Sequence, residues 1–396
     1  MSLTKQYIEA RYIENLINYK YSGGDLSILY RFVINPFCNW FVNYLPEWLA
    51  PNVITVSGFF FNLFNLILTT YYSGWKGGED LPSWVCLVCA LSYTTYIIFD
   101  YTDGKQARRL KASSPLGLLF DHGTDACTTF YITVVAGSIT YATEIYQYLL
   151  YYIPIMGTFF INTWEEYYTG ELVLPEINGI AEGTLLTDII FILSALYGKG
   201  FYWKEIDIFG KFKLKINEIL MIGVFIGAII FSTKSIIEVF KKIKRKKVYD
   251  AFKTFFIFPL FSFSILCVSF LSDSIIVKEY PKILILTFGF QFAKMMGILQ
   301  LSHILCSPYK IYQPVFLIPL LALIVHSLVS YFCHYNLLVS IDSLIISVFL
   351  WNFLSWAHFV YFCSEQICEI LNIKRFSLGK RYSTKPSYEE IKSKLN

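Results

Sequence analysis

The chain reads as all-α: a polytopic membrane helical bundle of about ten transmembrane helices, with an N-terminal interfacial amphipathic helix. Three observations predict this. Of 396 residues, 55% are hydrophobic and only 16% are charged, whereas a soluble domain carries about a quarter charged residues. Apolar runs recur, each near the roughly 20 residues that cross a bilayer as a helix. Lysine and arginine gather in alternate connections, the asymmetry that orients membrane proteins. Helices are the default because they satisfy their own backbone groups in lipid.

The elements follow in order. Asn35-Pro36 resembles a helix N-cap followed by proline at the first helical position. Phe37, Trp40, Phe41, Tyr44 and Leu45 would then form one apolar stripe, with Asn39 and Asn43 opposite. That pattern suits a helix in the membrane interface, or equally a surface helix covered by the bundle. Spans are expected at 53–74, 82–101, 116–140, 146–163, 186–203, 217–239, 250–271, 282–305, 313–333 and 342–371. The expected organisation is a cytosolic N-terminal segment at 1–49, a catalytic transmembrane core at 50–240, additional helices at 241–371 and a cytosolic tail at 372–396.

Charge sets the orientation. The 102–114 connection carries Lys105, Arg108, Arg109 and Lys111, and 241–247 is a basic run. The tail from 372 holds seven Lys and Arg against two Glu. All three belong on the cytosolic side, with both termini. The basic run could also meet anionic membrane lipids. One segment dissents: 199–216 would face the other side yet holds Lys199, Lys204, Lys211, Lys213 and Lys215. Cys86 and Cys89 form C-x-x-C inside an apolar span with no partner pair, so packing is the expected role. Nucleic acid is not an expected partner.

The chemistry lies between Asp100 and Asp125. Four carboxylates, Asp100, Asp103, Asp121 and Asp125, sit at the ends of two apolar stretches, where ionisable groups are costly and usually functional. Spacings of three and four put each pair on one helix face. Facing helices would bring the four together, a ligand set for hard divalent cations. Gly104, Ala107 and Gly117 extend the same faces without bulk, so a ligand can approach the backbone. Arg108 offers a planar fork for phosphate. Metal-dependent phosphate chemistry accounts for all of these. A cation path lined by acids, or a salt-bridge cluster with Arg108, Arg109 and Lys111, accounts for the charges but not for the small residues.

The spacing D-x2-D-G-x2-A-R-x8-G-x3-D-x3-D resembles the signature of the CDP-alcohol phosphotransferases, with every position filled. D-G-K-Q-A-R-R, S-S-P-L-G and F-D-H-G are similar to the eukaryotic choline and ethanolamine branch, as are Tyr21-Ser22-Gly23 and Ala50 to Thr55. Thr163 to Tyr167, Asn178-Gly179 and Glu182-Gly183 carry the same likeness. The resemblance implies a ten-helix enzyme, a homodimer, in the endoplasmic reticulum or Golgi membrane. It implies transfer of phosphocholine or phosphoethanolamine from CDP-choline or CDP-ethanolamine to diacylglycerol, releasing CMP. It also implies two Mg2+ ions, with Mn2+ as an alternative, on Asp100, Asp103, Asp121 and Asp125, and nucleotide contacts from Asn52, Gly104, Ala107, Arg108 and Gly117. The proton acceptor would be His122 in this branch, or Asp125 as in the wider family.

Physical chemistry favours His122. A carboxylate bound to cations has its basicity suppressed, whereas an imidazole's ordinary pKa near 6.5 suits a general base at neutral pH. Glu166 or Glu182 is expected to orient it. Leu118 stands where the branch has an acid, which leaves the donor head group open. A CDP-diacylglycerol-dependent synthase is the runner-up within the family, and a divalent-cation transporter the reading from another class. Lys294, near mid-span, is expected to find a structural partner or to reach the nucleotide phosphates. His303 is expected at the interface, and Glu365 and Glu369 in solvent.

Overall fold

The structure, a computed structural model, describes residues 7–208, 210–310, 313–333 and 337–378. The predicted cytosolic tail therefore lies outside the described residues from 379 onward. A short α1 (Ile13–Asn18) and strand β1 (Gly23–Asp25) precede the amphipathic helix α2 (Asn35–Phe41). The long helices begin with α3 (Pro51–Ser73), α4 (Ser83–Arg109), α5 (Pro115–Ile139) and α6 (Ile145–Thr169). Strand β2 (Leu172–Leu174) leads to α7 (Ala181–Tyr202), the hairpin β3 (Glu205–Ile208) and β4 (Phe212–Lys215), and α8 (Ile216–Lys242). Then come α9 (Val248–Phe255), α10 (Ile257–Leu271), α11 (Ile275–Glu279), α12 (Pro281–Ile304), α13 (Pro314–Cys333) and α14 (Ile341–Leu371). The protein is an all-α polytopic membrane bundle.

Among the described residues, eight helical stretches are long and apolar enough to cross a membrane, with 245–271 counted as one. Helices α5 and α6 reach 25 residues each but are not among the eight. They carry acids, amides and hydroxyls: Asp121, Asp125, Gln147, Asn162, Glu165 and Glu166. Polar residues are tolerated there because these helices turn them toward other protein, not lipid.

Helix α12 sits at the centre, packed on α5, α6 and α14. Of its apolar window 89% is buried, against 6% for α8, which runs along the outside. Two glycines let neighbours close on α12. A Cβ at Gly289 would lie 2.4 Å from the Phe130 ring of α5, and one at Gly297 would lie 2.5 Å from the Phe359 ring of α14. Cys86 and Cys89 are buried in the packing, as the sequence predicts. Lys294 is buried, and its ammonium bonds the Ser355 hydroxyl on α14, a structural partner.

Three details differ from expectation. Asn35 is not an N-cap: its backbone is helical, and its N–H donates to the Tyr30 carbonyl five residues back. That π turn at Tyr30–Ile34 precedes Pro36. It loosens the turn where the proline ring would meet the backbone behind it. The aromatic stripe of α2 is nonetheless outward, with Phe37, Trp40 and Tyr44 exposed and Cys38 buried, which fits an interfacial helix. Second, the described residues include four short strands. Pair β1–β2 is parallel and ties the N-terminal segment to the loop after α6; β3–β4 is an antiparallel hairpin. Third, the lysines of 199–216 lie around that hairpin. Lys199 and Lys215 place their ammonium groups 4.2 and 4.6 Å from the Trp203 ring centroid. Cation–π contact and stem burial let such lysines sit beside an apolar surface, so their charge is a weak orientation signal.

Candidate active site

Helices α4 and α5 face each other at the end where α4 finishes and α5 begins. The turn between them is tight, closed by the Ala112 N–H donating to the Ala107 carbonyl at 2.8 Å, and Lys111 has φ 55°. Ser114 caps α5 by accepting from the Gly117 N–H at 3.2 Å. That antiparallel hairpin sets the acids of one helix against those of the other.

Asp100, Asp121 and Asp125 converge, each offering an oxygen within 4.8 Å of the others. Oδ1 of Asp100 is buried without a hydrogen-bond partner. Three carboxylates this close repel one another strongly unless a cation lies among them. The donor set is all oxygen, the chemistry of a hard divalent cation, so the residues fit the metal. Asp103 lies beside that trio, outside its 4.8 Å grouping, and accepts from the Thr55 hydroxyl on α3. Asp125 Oδ1 accepts from the Tyr96 hydroxyl at 2.5 Å. Tyr96 lies one helical turn before Asp100 on α4, a spacing visible in the sequence but not singled out there.

The residues assigned to nucleotide contact line the same end. Gly104 lies beside the Arg108 guanidinium: a Cβ there would be 3.5 Å from it. Arg108 itself is exposed, and Ala107 half-buried. Gly117 faces Asn52, whose Oδ1 would be 3.6 Å from a Cβ at that glycine. Asn52 Nδ2 donates to the Arg375 carbonyl at 2.8 Å, in the segment after α14. That segment is held in turn by Arg375 pairing with Glu365, so Glu365 is not simply solvated as predicted. Phe376 packs against Phe120, next to Asp121.

The remaining residues of D-G-K-Q-A-R-R point the other way. The Lys105 ammonium donates to Asn35 and, at 3.0 Å, to Asn39 of α2. Gln106 donates to the carbonyls of Pro46 and Leu49. Arg109 donates to Val42 and Leu45 at 2.7 and 2.8 Å. One face of α4 thus carries the acids while the opposite face holds α2 and the turn that follows it.

His122 Nδ1 lies 3.8 Å from Glu166 Oε2 on α6. Glu182, the other candidate partner, is elsewhere: it accepts from the Ser27 hydroxyl at 2.7 Å and the Asn178 N–H at 2.9 Å. Glu166 is fully buried, and its second oxygen is 3.7 Å from His303 Nε2. His303 is therefore not a freely solvated interfacial residue; only 9% of its side chain is exposed. The sequence could not pair it with Glu166, because α6 and α12 are more than a hundred residues apart. Tyr21, on the N-terminal segment, lies within electrostatic reach of the Glu166 and Asp121 carboxylates and the Arg108 guanidinium.

A cavity of about 520 Å³ runs from Asp100 and Asp125 between α4, α5, α6, α7 and α8. Tyr93, Tyr96 and Thr129 line its polar end, and Ile190, Leu220 and Val224 its apolar remainder. A carboxylate cluster thus opens directly onto an oily chamber.

A family model for CDP-alcohol phosphatidyltransferases matches residues 48–195. The chain is 31% identical to the uncharacterized CDP-alcohol phosphatidyltransferase class-I family protein 2 of Dictyostelium discoideum, over 96% of this chain and 89% of that protein. It is 30% identical to cholinephosphotransferase 1 of Saccharomyces cerevisiae, over 83% and 87% of the two chains. It is 33% identical to ethanolaminephosphotransferase 1 of Mus musculus, over 73% and 75%.

Proposed function

The chain belongs to the CDP-alcohol phosphatidyltransferase family, and on that premise we propose that it transfers phosphoethanolamine or phosphocholine from CDP-ethanolamine or CDP-choline to diacylglycerol. The products are phosphatidylethanolamine or phosphatidylcholine and CMP. The observation that carries this reading is the junction of an acidic cluster with an apolar chamber. A water-soluble donor and a lipid acceptor must meet at such a place. The names of the yeast and mouse relatives support the same substrates, and leave a CDP-diacylglycerol-dependent synthase or a cation transporter without support.

Asp100, Asp121 and Asp125, with Asp103 beside them, would hold the metal, which we assign as two Mg2+ ions with Mn2+ as a substitute. When bound, the metal supplies charge neutralisation to the diphosphate and to these acids. The chain's own groups do the rest. Asn52, Gly104, Ala107, Arg108 and Gly117 receive the nucleotide end, the small residues allowing close approach and Arg108 facing the phosphate that leaves with CMP. Diacylglycerol enters through the chamber with its hydroxyl toward Asp125 and His122. His122 removes the hydroxyl proton as the oxygen forms its bond to the alcohol-bearing phosphorus, and the bond from that phosphorus to the CMP oxygen breaks. Glu166 faces Nδ1 of the imidazole, which leaves Nε2 to accept the proton. Asp125, held by Tyr96 within the acidic trio, is the weaker base. Positioning and electrostatics carry most of the catalysis.

We place the enzyme as a homodimer in the endoplasmic reticulum or Golgi membrane, with its site and both termini cytosolic; the basic run at 241–247 supports that orientation. The test is purified protein in lipid with labelled CDP-choline or CDP-ethanolamine, diacylglycerol and Mg2+. Labelled phospholipid that disappears with chelator and returns with Mg2+ is expected. No product from either donor would overturn the reading.

A further inference from the structure

Glu166 presents an unusual balance. Both its oxygens are buried without a close hydrogen-bond partner, and so are His122 Nδ1 and both polar atoms of the Gln300 carboxamide. Burying a carboxylate is costly unless charge or hydrogen bonds compensate it. The groups that flank it are two imidazoles, His122 with Nδ1 3.8 Å from Oε2 and His303 with Nε2 3.7 Å from Oε1. Gln300 lies beside both Glu166 and His122, one helical turn before His303 on α12. His303 is itself held: the Tyr19 hydroxyl is 3.1 Å from its Nε2, and the two rings meet edge to face at 5.7 Å. His303 also lines a second cavity of about 1110 Å³, with Tyr19, Ser302 and Tyr167 in its wall. Four side chains from four segments thus form one row: His122 on α5, Glu166 on α6, His303 on α12 and Tyr19 of the N-terminal segment.

We propose that His303, locked by Tyr19, is a positioning residue for phosphoryl transfer: it fixes one oxygen of Glu166 so that the other orients the His122 imidazole. This rests on the reading of His122 as the base. A buried carboxylate flanked by an imidazole at each oxygen has little room to turn, and a base off by a fraction of an ångström loses much of its rate. The row also explains why the N-terminal segment, which contributes none of the acids, is tied down by the β1–β2 pair beside α6.

The test uses the full-length enzyme in lipid, with kcat and KM for both substrates, a kcat–pH profile and Mg2+-dependent CDP-alcohol binding. His303→Leu is expected to lower kcat about tenfold or more while both KM values and donor binding stay within about twofold. His303→Gln, which keeps a donor near the Nε2 position, should recover most of the loss. Tyr19→Phe, a milder change should His303→Leu fail to fold, should lower kcat by about threefold and shift the kcat–pH profile. In a His122→Ala background the His303 and Tyr19 substitutions should have no further effect. Unchanged kcat in His303→Leu, an equal loss in the His122→Ala background, or a rise in donor KM that accounts for the loss would each overturn the proposal. Wild-type turnover by His122→Ala alone would instead overturn the assignment of the base.

Discussion

Tyr96 and Asp125 are bound across the α4–α5 interface, the phenol donating to Asp125 Oδ1 at 2.5 Å. The acid that closes the sequence signature is thereby oriented by a residue outside it. The same residue lines the apolar chamber, so one side chain touches both the acidic cluster and the chamber. Tyr96→Phe keeps the ring and removes only the donor. It should weaken activation by Mg2+ by roughly three- to tenfold, since a ligand's orienting partner is worth about that much or more. Titrating activity against Mg2+ in wild type and variant would check it; identical curves would show that Asp125 needs no such support.

Asp100→Asn should be nearly inactive at any attainable Mg2+ concentration, because Asp100 stands within the acidic trio and its buried Oδ1 has no other partner. Asp103→Asn should be less severe in Mg2+ affinity, since Thr55 already engages that carboxylate. The ranking of the two variants in a Mg2+-activation series is the measurement. An equal loss in both would place Asp103 on the same footing as the trio.

His122→Ala should lose about 10²-fold or more in kcat while retaining Mg2+-dependent binding of the CDP-alcohol. Glu166→Gln keeps the shape but removes the charge between the two imidazoles, and should cost about tenfold or more in kcat. Binding and turnover measured on one preparation separate this pattern from a failure to fold.

Lys105→Ala should damage stability more than chemistry. It leaves Asn35 and Asn39 without their ammonium donor and frees the interfacial helix α2. The loss should be about 1–3 kcal/mol, read as a lower thermal midpoint in detergent. Arg108→Ala, on the neighbouring exposed position, should do the reverse: little change in midpoint and a higher KM for the CDP-alcohol. Both variants behaving alike would deny the division of the α4 faces.

Gly289→Leu should prevent correct assembly, because the Phe130 ring already occupies the space a side chain would need. The expected result is aggregation or loss of the monodisperse peak in size-exclusion chromatography, since over-packing a close helix contact costs about 1–3 kcal/mol or more. Gly223→Leu, on α8 where a Cβ would meet only the open space of the chamber, should leave the size-exclusion peak unchanged.

Much was legible without coordinates, for local reasons. Hydrophobic length marks spans because lipid leaves a helix few alternatives: helix lies at each predicted segment, the seventh divided between α9 and α10, and eight stretches among the described residues are long and apolar enough to cross a membrane. The pairs Asp100–Asp103 and Asp121–Asp125 share helix faces by period alone, and a tight turn lets α4 and α5 face each other. The aromatic stripe of α2 was likewise visible, whereas the π turn before Pro36 was not, since it depends on how the preceding segment enters the bundle.

What only the tertiary structure decided is which distant residues meet. Spacing could not set Asp103 against Thr55 while the other three acids converge. It could not choose Glu166 over Glu182 as the neighbour of His122, nor bring His303 to the far side of that carboxylate. Each of these meetings joins helices separated by long stretches of chain, and depends on close approaches such as Gly289 beneath Phe130. Periodicity fixes which face of a helix a residue occupies; packing alone fixes what that face looks at.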